Sequence, residues 1–241
     1  MIEVTHLTKT YGKKHNVFTA LDDVSFTIPD GASVAILGKS GSGKSTLMHA
    51  MSGLDRPQVG QVVIDGEDIL TLKTKAVDRF RATKMSFIFQ SFFVQANESC
   101  YDNVSLPLEI ANVSLGERKQ RVTEALESVE LGDKIKSKAK NLSGGQKQRL
   151  AIARAIVNKP QIIFADEPTG NLDSATGEKV EDILFGYNKE NGVTLIIVTH
   201  DPDLARKCDM QINVKDGKIE SIREAKTKPA TNTVKKGARS L

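Results

Sequence analysis

Short continuous apolar runs punctuate this chain. Ser33-Val34-Ala35-Ile36-Leu37, Gln161-Ile162-Ile163-Phe164-Ala165 and Leu195-Ile196-Ile197-Val198 have the length of strands buried on both faces. Met85-Ser86-Phe87-Ile88-Phe89 is a further short strand, and Val62-Val63-Ile64 ends in the turn Asp65-Gly66. Residues 1–31 alternate in Met1–Val4 and Val24–Ile28 and turn at Pro29-Asp30-Gly31, so they read as β-rich. Helical spacing appears elsewhere. Thr46–Met51 reads as a helix ending at Gly53. Val122, Ala125, Leu126 and Val129 mark a helix over Glu117–Glu130, and residues 147–158 another. Alternating strands and helices predict an α/β fold with a mostly parallel sheet covered on both faces. The pattern adds an N-terminal antiparallel β-subdomain and a helical insert at about 91–141. Residues 1–223 form the expected domain, and 224–241 a separate tail.

Charge adds less than it first suggests. The formal net charge is +4. Glu224 against Lys226, Lys228, Lys235, Lys236 and Arg239 accounts for all of it, so the body is neutral. A neutral body argues against a nucleic-acid surface. The tail is too poor in apolar residues to order itself; it reads as a solvated terminus, with loose attraction to anionic lipid or a partner as the sharper reading. No apolar run approaches the ~18–20 residues of a membrane span. The N-terminus carries no signal pattern, and Cys100 and Cys208 have no metal spacing, which together predict a cytoplasmic protein.

The chemistry lies at strand ends. Gly38-Lys39-Ser40-Gly41-Ser42-Gly43-Lys44-Ser45 follows an apolar strand and opens the helix at Thr46. Glycines let backbone N–H groups wrap phosphates, and the helix N-terminus adds its positive dipole end. Lys44 should reach the β- and γ-phosphates of a nucleoside triphosphate and Ser45 should ligate Mg²⁺. Strand 162–165 ends in Asp166-Glu167. Asp166 is placed to hold Mg²⁺ and Glu167 to orient or deprotonate an attacking water. His200, after strand 195–199, is placed to bond the γ-phosphate. Gln90 ends strand 85–89, where its amide can ligate Mg²⁺. Phe92, Phe93 and Val94 beside it read equally as core or as a docking patch. Tyr11, ahead of the glycine loop, reads as an adenine stack or as packing.

About a hundred positions further on, Leu142-Ser143-Gly144-Gly145-Gln146 forms a second glycine-rich anion loop at a helix start. One triphosphate does not need two such loops. The economical reading is that this loop serves ATP held by a second copy.

Together these residues resemble the ATP-binding-cassette ATPases over roughly residues 1–222. The order is Tyr11, the phosphate loop 38–45, Gln90, the signature 142–146, the strand-end acids 162–167, Asp173 in Asn171-Leu172-Asp173-Ser174, and His200. The resemblance implies a homodimer closing on ATP and Mg²⁺, with Asp173 coupling the two sites. It implies a separate integral membrane permease and a place on the cytoplasmic face of the membrane, with no nucleic acid as partner. Ala165–Ser174 with Asn103–Leu108 is similar to the branch containing macrolide-exporter, lipoprotein-release and cell-division ATPases, which implies export or mechanical transmission. Lys39 departs from the proline common there and adds a positive charge near the phosphates, or is simply solvated. A soluble regulatory or repair ATPase of the same fold is the alternative.

Overall fold

The computed structural model describes residues 1–12 and 16–224. The chain runs through β1 (Ile2–Tyr11), β2 (Phe18–Ile28), β3 (Ser33–Leu37), α1 (Lys44–Met51), β4 (Val59–Ile64), β5 (Glu67–Asp68), α2 (Thr74–Lys84) and β6 (Met85–Phe89). Then follow α3 (Cys100–Ile110), α4 (Leu115–Ser128), α5 (Gly144–Ile156), β7 (Ile162–Asp166) and α6 (Ser174–Asn191). The described chain closes with β8 (Thr194–Thr199), α7 (Pro202–Arg206), β9 (Met210–Lys215) and β10 (Lys218–Glu224). The basic tail expected at 224–241 lies outside the described residues except for Glu224.

Two sheets result. One is antiparallel, in the order β2-β1-β4-β5. The other has the order β10-β9-β3-β8-β7-β6 and is parallel apart from its β10 edge. The apolar runs are continuous because both faces of the parallel sheet are covered, and side chains alternate between two cores. Ala35, Ile163, Ala165, Leu195 and Ile197 pack with α3, α4, α5 and α6. Val34, Ile36, Ile162, Phe164, Ile196 and Val198 pack with α1 and the antiparallel sheet. The N-terminal β region therefore closes one face of the parallel sheet.

Helix starts differ from the periodic pattern by a few residues, and caps explain the shifts. α4 begins at Leu115 because the Ser114 hydroxyl accepts from the Glu117 amide. α5 begins at Gly144, not 147, because Ser143 and Gln146 form a reciprocal capping box. The pattern assigned no element to 74–84, 174–191 or 202–224, where α2, α6, α7, β9 and β10 lie. α2 buries only Val77 and Phe80, too narrow a stripe to read. β9 alternates Met210, Ile212 and Val214 inward with Gln211, Asn213 and Lys215, a strand signal that a reading based on continuous apolar runs passes over.

Phe164 is fully buried at the centre of β7 and stacks on Phe87 at 5.5 Å. Phe164→Ala should lower unfolding stability by about 3–5 kcal/mol. Urea titration checks this through a fall in midpoint.

Candidate nucleotide and metal site

Parallel register brings the strand ends together. Leu37 pairs with Thr199, Val198 with Asp166, and Asp166 with Phe89. The residues that follow, Gly38, His200, Glu167 and Gln90, therefore gather at one carboxyl edge, where open α/β sheets bind ligands. A cavity of about 540 Å³ opens there. It is lined by Tyr11, Ser40, Gly41, Gly43, Lys44, Ser45, Thr46, Gln90, Asp166, Glu167 and His200. Phe18, Ala20 and Val198 also line it, and the sequence pattern singled out none of them. Phe18 pairs across strands with Tyr11, a relation visible only once the register of β1 and β2 is known.

Backbone crowding fixes the glycine loop. Gly43 has φ +106°, and a Cβ there would lie 2.5 Å from the Ala20 carbonyl oxygen. At Gly38 a Cβ would lie 2.2 Å from the Val214 carbonyl oxygen. The loop is thus pressed between β2 and β9, and only glycine fits both positions. Gly43 caps α1 without a side-chain hydrogen bond, so the first-turn amides keep their donor capacity for an anion. Lys44 is buried, and its Nζ donates to the carbonyls of Gly38 at 2.8 Å and Lys39 at 3.0 Å. An ammonium has three protons, so one donor remains for a phosphate. Lys39 and Ser40 are exposed; Ser42 is buried, its amide donating to the Lys39 carbonyl at 3.1 Å. Lys39 and Ser42 shape the loop but do not line the cavity.

The oxygen donors fit a hard cation. Ser45 Oγ donates to Asp166 Oδ2 at 3.5 Å. Gln90 Nε2 donates to Asn171 Oδ1 at 3.3 Å, and Asn171 Nδ2 donates to the Gln90 carbonyl at 3.0 Å. That exchange leaves Gln90 Oε1, the atom a cation needs, outside the pair. Gly170 makes room, since a Cβ there would lie 2.9 Å from Gln90 Nε2. Among the described residues no cluster of three or more His, Cys, Asp or Glu could hold a metal alone. A hydroxyl, a carboxylate and an amide suit Mg²⁺, which keeps waters and substrate phosphates in its shell.

Glu167 sits on a left-handed backbone, φ +49°, held by its amide donating to the Val198 carbonyl at 2.9 Å. Non-glycine residues adopt that region at a cost, and it aims the side chain away from the strand line. His200 Nδ1 lies 2.7 and 2.9 Å from the two Glu167 oxygens. Its second ring nitrogen is left for a phosphate oxygen. Burial pushes the Asp166 carboxyl up from its ordinary value, and the neighbouring Glu167 charge adds to this; His49, Ser45 and Lys44 act in the opposite sense.

The second glycine loop is elsewhere. None of Leu142, Ser143, Gly144, Gly145 or Gln146 lines the cavity. Leu142 is buried in the helical core, so its side chain packs and presents nothing to a ligand. Gly145 fits tightly against α6: a Cβ would lie 2.1 Å from Thr176 Cγ2. Asp173 caps α6, accepting from the Thr176 amide at 3.0 Å and hydroxyl at 2.7 Å. The Thr176 hydroxyl bond holds its carboxyl below the ordinary range. The signature loop and Asp173 therefore share one surface through α6. Gln148, which no motif marked, ties that surface to the acids: its buried Nε2 donates to the Pro168 carbonyl at 2.6 Å.

A raised Asp166 pKa has a defined consequence for stability. The folded carboxyl binds its proton more tightly than the unfolded one. Its contribution favours folding at low pH and turns against folding as pH rises through the raised value. Without nucleotide or metal, Asp166→Asn should therefore melt higher than the parent at neutral pH, and the gap should close as pH falls. Thermal melts in a chelator across the acid range check this.

The family described as ABC transporter matches residues 21–170. The lipoprotein-releasing system ATP-binding protein LolD of Syntrophus aciditrophicus is 41% identical over 219 residues, covering 91% of this chain and 98% of its own. The methionine import ATP-binding protein MetN 1 of Yersinia pestis bv. Antiqua is 39% identical, covering 96% of this chain and 68% of its own. Among solved structures, the dimeric ATP-binding cassette MJ0796 with ADP and phosphate superposes with a TM-score of 0.85 at 40% identity, covering 93% of this chain and 98% of that one. With the glycine loop, the strand-end acids and His200 converging on one cavity, this chain belongs to the ABC transporter ATPases, which bind and hydrolyse ATP.

Proposed function

We propose that residues 1–223 form one ATPase domain, two copies of which close on two ATP molecules and drive a separate integral membrane permease from the cytoplasmic face. The observation that carries this reading is the placement of the two glycine loops. The phosphate loop lines the cavity, whereas Ser143–Gln146 and Asp173 lie together on another surface. A site for one triphosphate with a second anion loop out of its reach is completed by a partner copy.

Within each site the residues take distinct roles. Tyr11 stacks on adenine. Amides of residues 39–46 and the free Lys44 proton hold the β- and γ-phosphates. Ser45, Asp166 and Gln90 hold Mg²⁺, which neutralises phosphate charge. Glu167 takes a proton from the attacking water as its oxygen bonds to the γ-phosphorus and the bond to ADP breaks. His200 fixes the Glu167 carboxylate through Nδ1 and reports the γ-phosphate through its other nitrogen. The partner's loop closes over the same phosphates, so hydrolysis releases the dimer.

Coupling to a membrane partner has its own surface. A mostly apolar groove of about 630 Å³ runs between α2, β6, α3 and α5, lined by Ala82, Phe87, Leu106, Pro107, Ile110 and Ala155 among others. Arg154 borders it and donates to the carbonyls of Phe92 at 3.1 Å and Phe93 at 2.7 Å. Phe93 is 65% exposed, edge-on to Phe89 at 5.4 Å, which favours docking for this side chain, whereas Val94 packs against the helical core. The segment begins two residues from Gln90, so a helix seated in the groove senses the metal end of the site. No described helix is long and apolar enough to cross a membrane, consistent with a separate spanning partner. The likeness of Ala165–Ser174 with Asn103–Leu108 and the relative named for lipoprotein release support export or mechanical transmission; the relative named for methionine import represents the opposite direction.

Glu167→Gln should cut ATP turnover by ~10²–10⁴-fold and hold an ATP-bound dimer on gel filtration. Undiminished turnover would remove Glu167 from its role. Tagged Glu167→Gln, extracted from native membranes with Mg-ATP, should capture a stoichiometric multi-span protein. Recovery of soluble or ribosomal proteins alone, with none of the chain in membranes, would favour the regulatory reading instead. Adding Ile110→Glu, at a side chain 69% exposed in the groove, should abolish capture while leaving the ATP-bound dimer intact.

A further inference from the structure

Beneath Tyr11 lies a charged pair that the reaction itself does not use. Lys9 is two residues before Tyr11 on β1, so both side chains emerge on the same face of the strand. Lys9 is only 6% exposed. Its Nζ donates to Asp55 Oδ1 at 2.5 Å and to the Arg56 carbonyl at 2.8 Å, and lies 4.9 Å from the centre of the Tyr11 ring. The Tyr11 hydroxyl donates to the other carboxylate oxygen, Asp55 Oδ2, at 2.5 Å. Asp55 is itself fixed, because its amide donates to the His49 carbonyl of α1 at 3.1 Å. One carboxylate thus bonds the ammonium below the ring and the phenol at its tip.

The arrangement has the form of a mount. An ammonium taken out of water needs a partner, and Asp55 supplies it. The cation covers one face of the ring, which leaves the opposite face for another group. Tyr11 nevertheless stays 41% exposed and lines the cavity. A ring at a strand end next to Gly12, φ +95°, loses rotamer freedom on stacking unless it is held beforehand. Thr46, in the first turn of α1, lines the same cavity as Tyr11. The base end and the phosphate end of the cavity are therefore joined through α1.

We infer that Asp55 and Lys9 are positioning residues for ATP, holding the Tyr11 ring in the orientation that stacks on adenine. This rests on the reading of Tyr11 as the base platform. The two are separable by experiment, with steady-state hydrolysis of ATP as one readout and competition by inorganic tripolyphosphate as the other. Tyr11→Ala tests the platform; Asp55→Ala and Tyr11→Phe test the mount. Asp55→Ala should raise KM for ATP about fivefold with little change in kcat, and leave inhibition by tripolyphosphate, which has no base, unaltered. Tyr11→Phe keeps the ring and loses only the anchoring hydroxyl, so it should raise KM in the same sense without a risk to folding. The double variant should add less than the two effects combined. The inference is overturned if Tyr11→Ala raises KM while Tyr11→Phe and Asp55→Ala do not. It is equally overturned if Asp55→Ala weakens tripolyphosphate as much as ATP, because the pair then serves the fold alone. If Tyr11→Ala leaves KM for ATP unchanged, the platform reading falls and the mount falls with it.

Discussion

The nucleotide site depends on the register of four parallel strands. β3, β8, β7 and β6 lie side by side, and their carboxyl ends stop in line. Each strand delivers one functional element as it leaves the sheet: the glycine loop, His200, the acid pair and Gln90. A parallel sheet holds this register because both faces are buried, and a slip by one residue would exchange the two side-chain sets between cores. Alternation of Ile163 and Ala165 on one face with Ile162 and Phe164 on the other makes that exchange costly. The packing that stabilises the domain thus also sets the geometry of the chemistry.

Around this edge, backbone contacts do more than side chains. Gly38 and Gly43 lie so close to carbonyls of Val214 and Ala20 that the loop has one path. Lys44 is held by bonds to two carbonyls of its own loop. Gln90 and Asn171 exchange two hydrogen bonds, and Gly170 admits them. Such preorganised donors need little rearrangement when charge develops on the phosphate. Asp166 carries the cost of this order. Its carboxyl is desolvated beside a second acid, and His49, Ser45 and Lys44 offset this only in part.

Two surfaces leave the site and lead outward. Through Gln148 and α6, the acid strand is joined to the signature loop and Asp173. Through Gln90, Phe93 and Arg154, it is joined to the apolar groove beside α3. On the proposed function, these are the packed routes by which a change at the γ-phosphate reaches a partner copy and a membrane partner. Both routes begin at residues immediately following β6 and β7.

The sequence by itself determined the site-bearing strands β3, β6, β7 and β8, the phosphate loop, the acid pair and the second glycine loop. Their signals are local: uninterrupted apolar runs, glycines at fixed spacing, and polar residues at run ends. It also carried the family, because the order of seven elements is a property of the chain. It held no trace of the bonds from Tyr11 and Lys9 to Asp55, which form only when β1 lies against the end of α1. It assigned Leu142 to the ligand loop, whereas burial against the helical core gives that side chain to packing. It passed over α2, whose two buried residues make too thin a stripe, and Phe18, which reaches the cavity only through the register of β1 with β2. Asn171, Gln148 and Arg154 act through bonds to backbone groups 20 to 81 residues away. No local pattern encodes contacts at that separation. They follow from how the sheet stacks its ends, which only the tertiary structure decides.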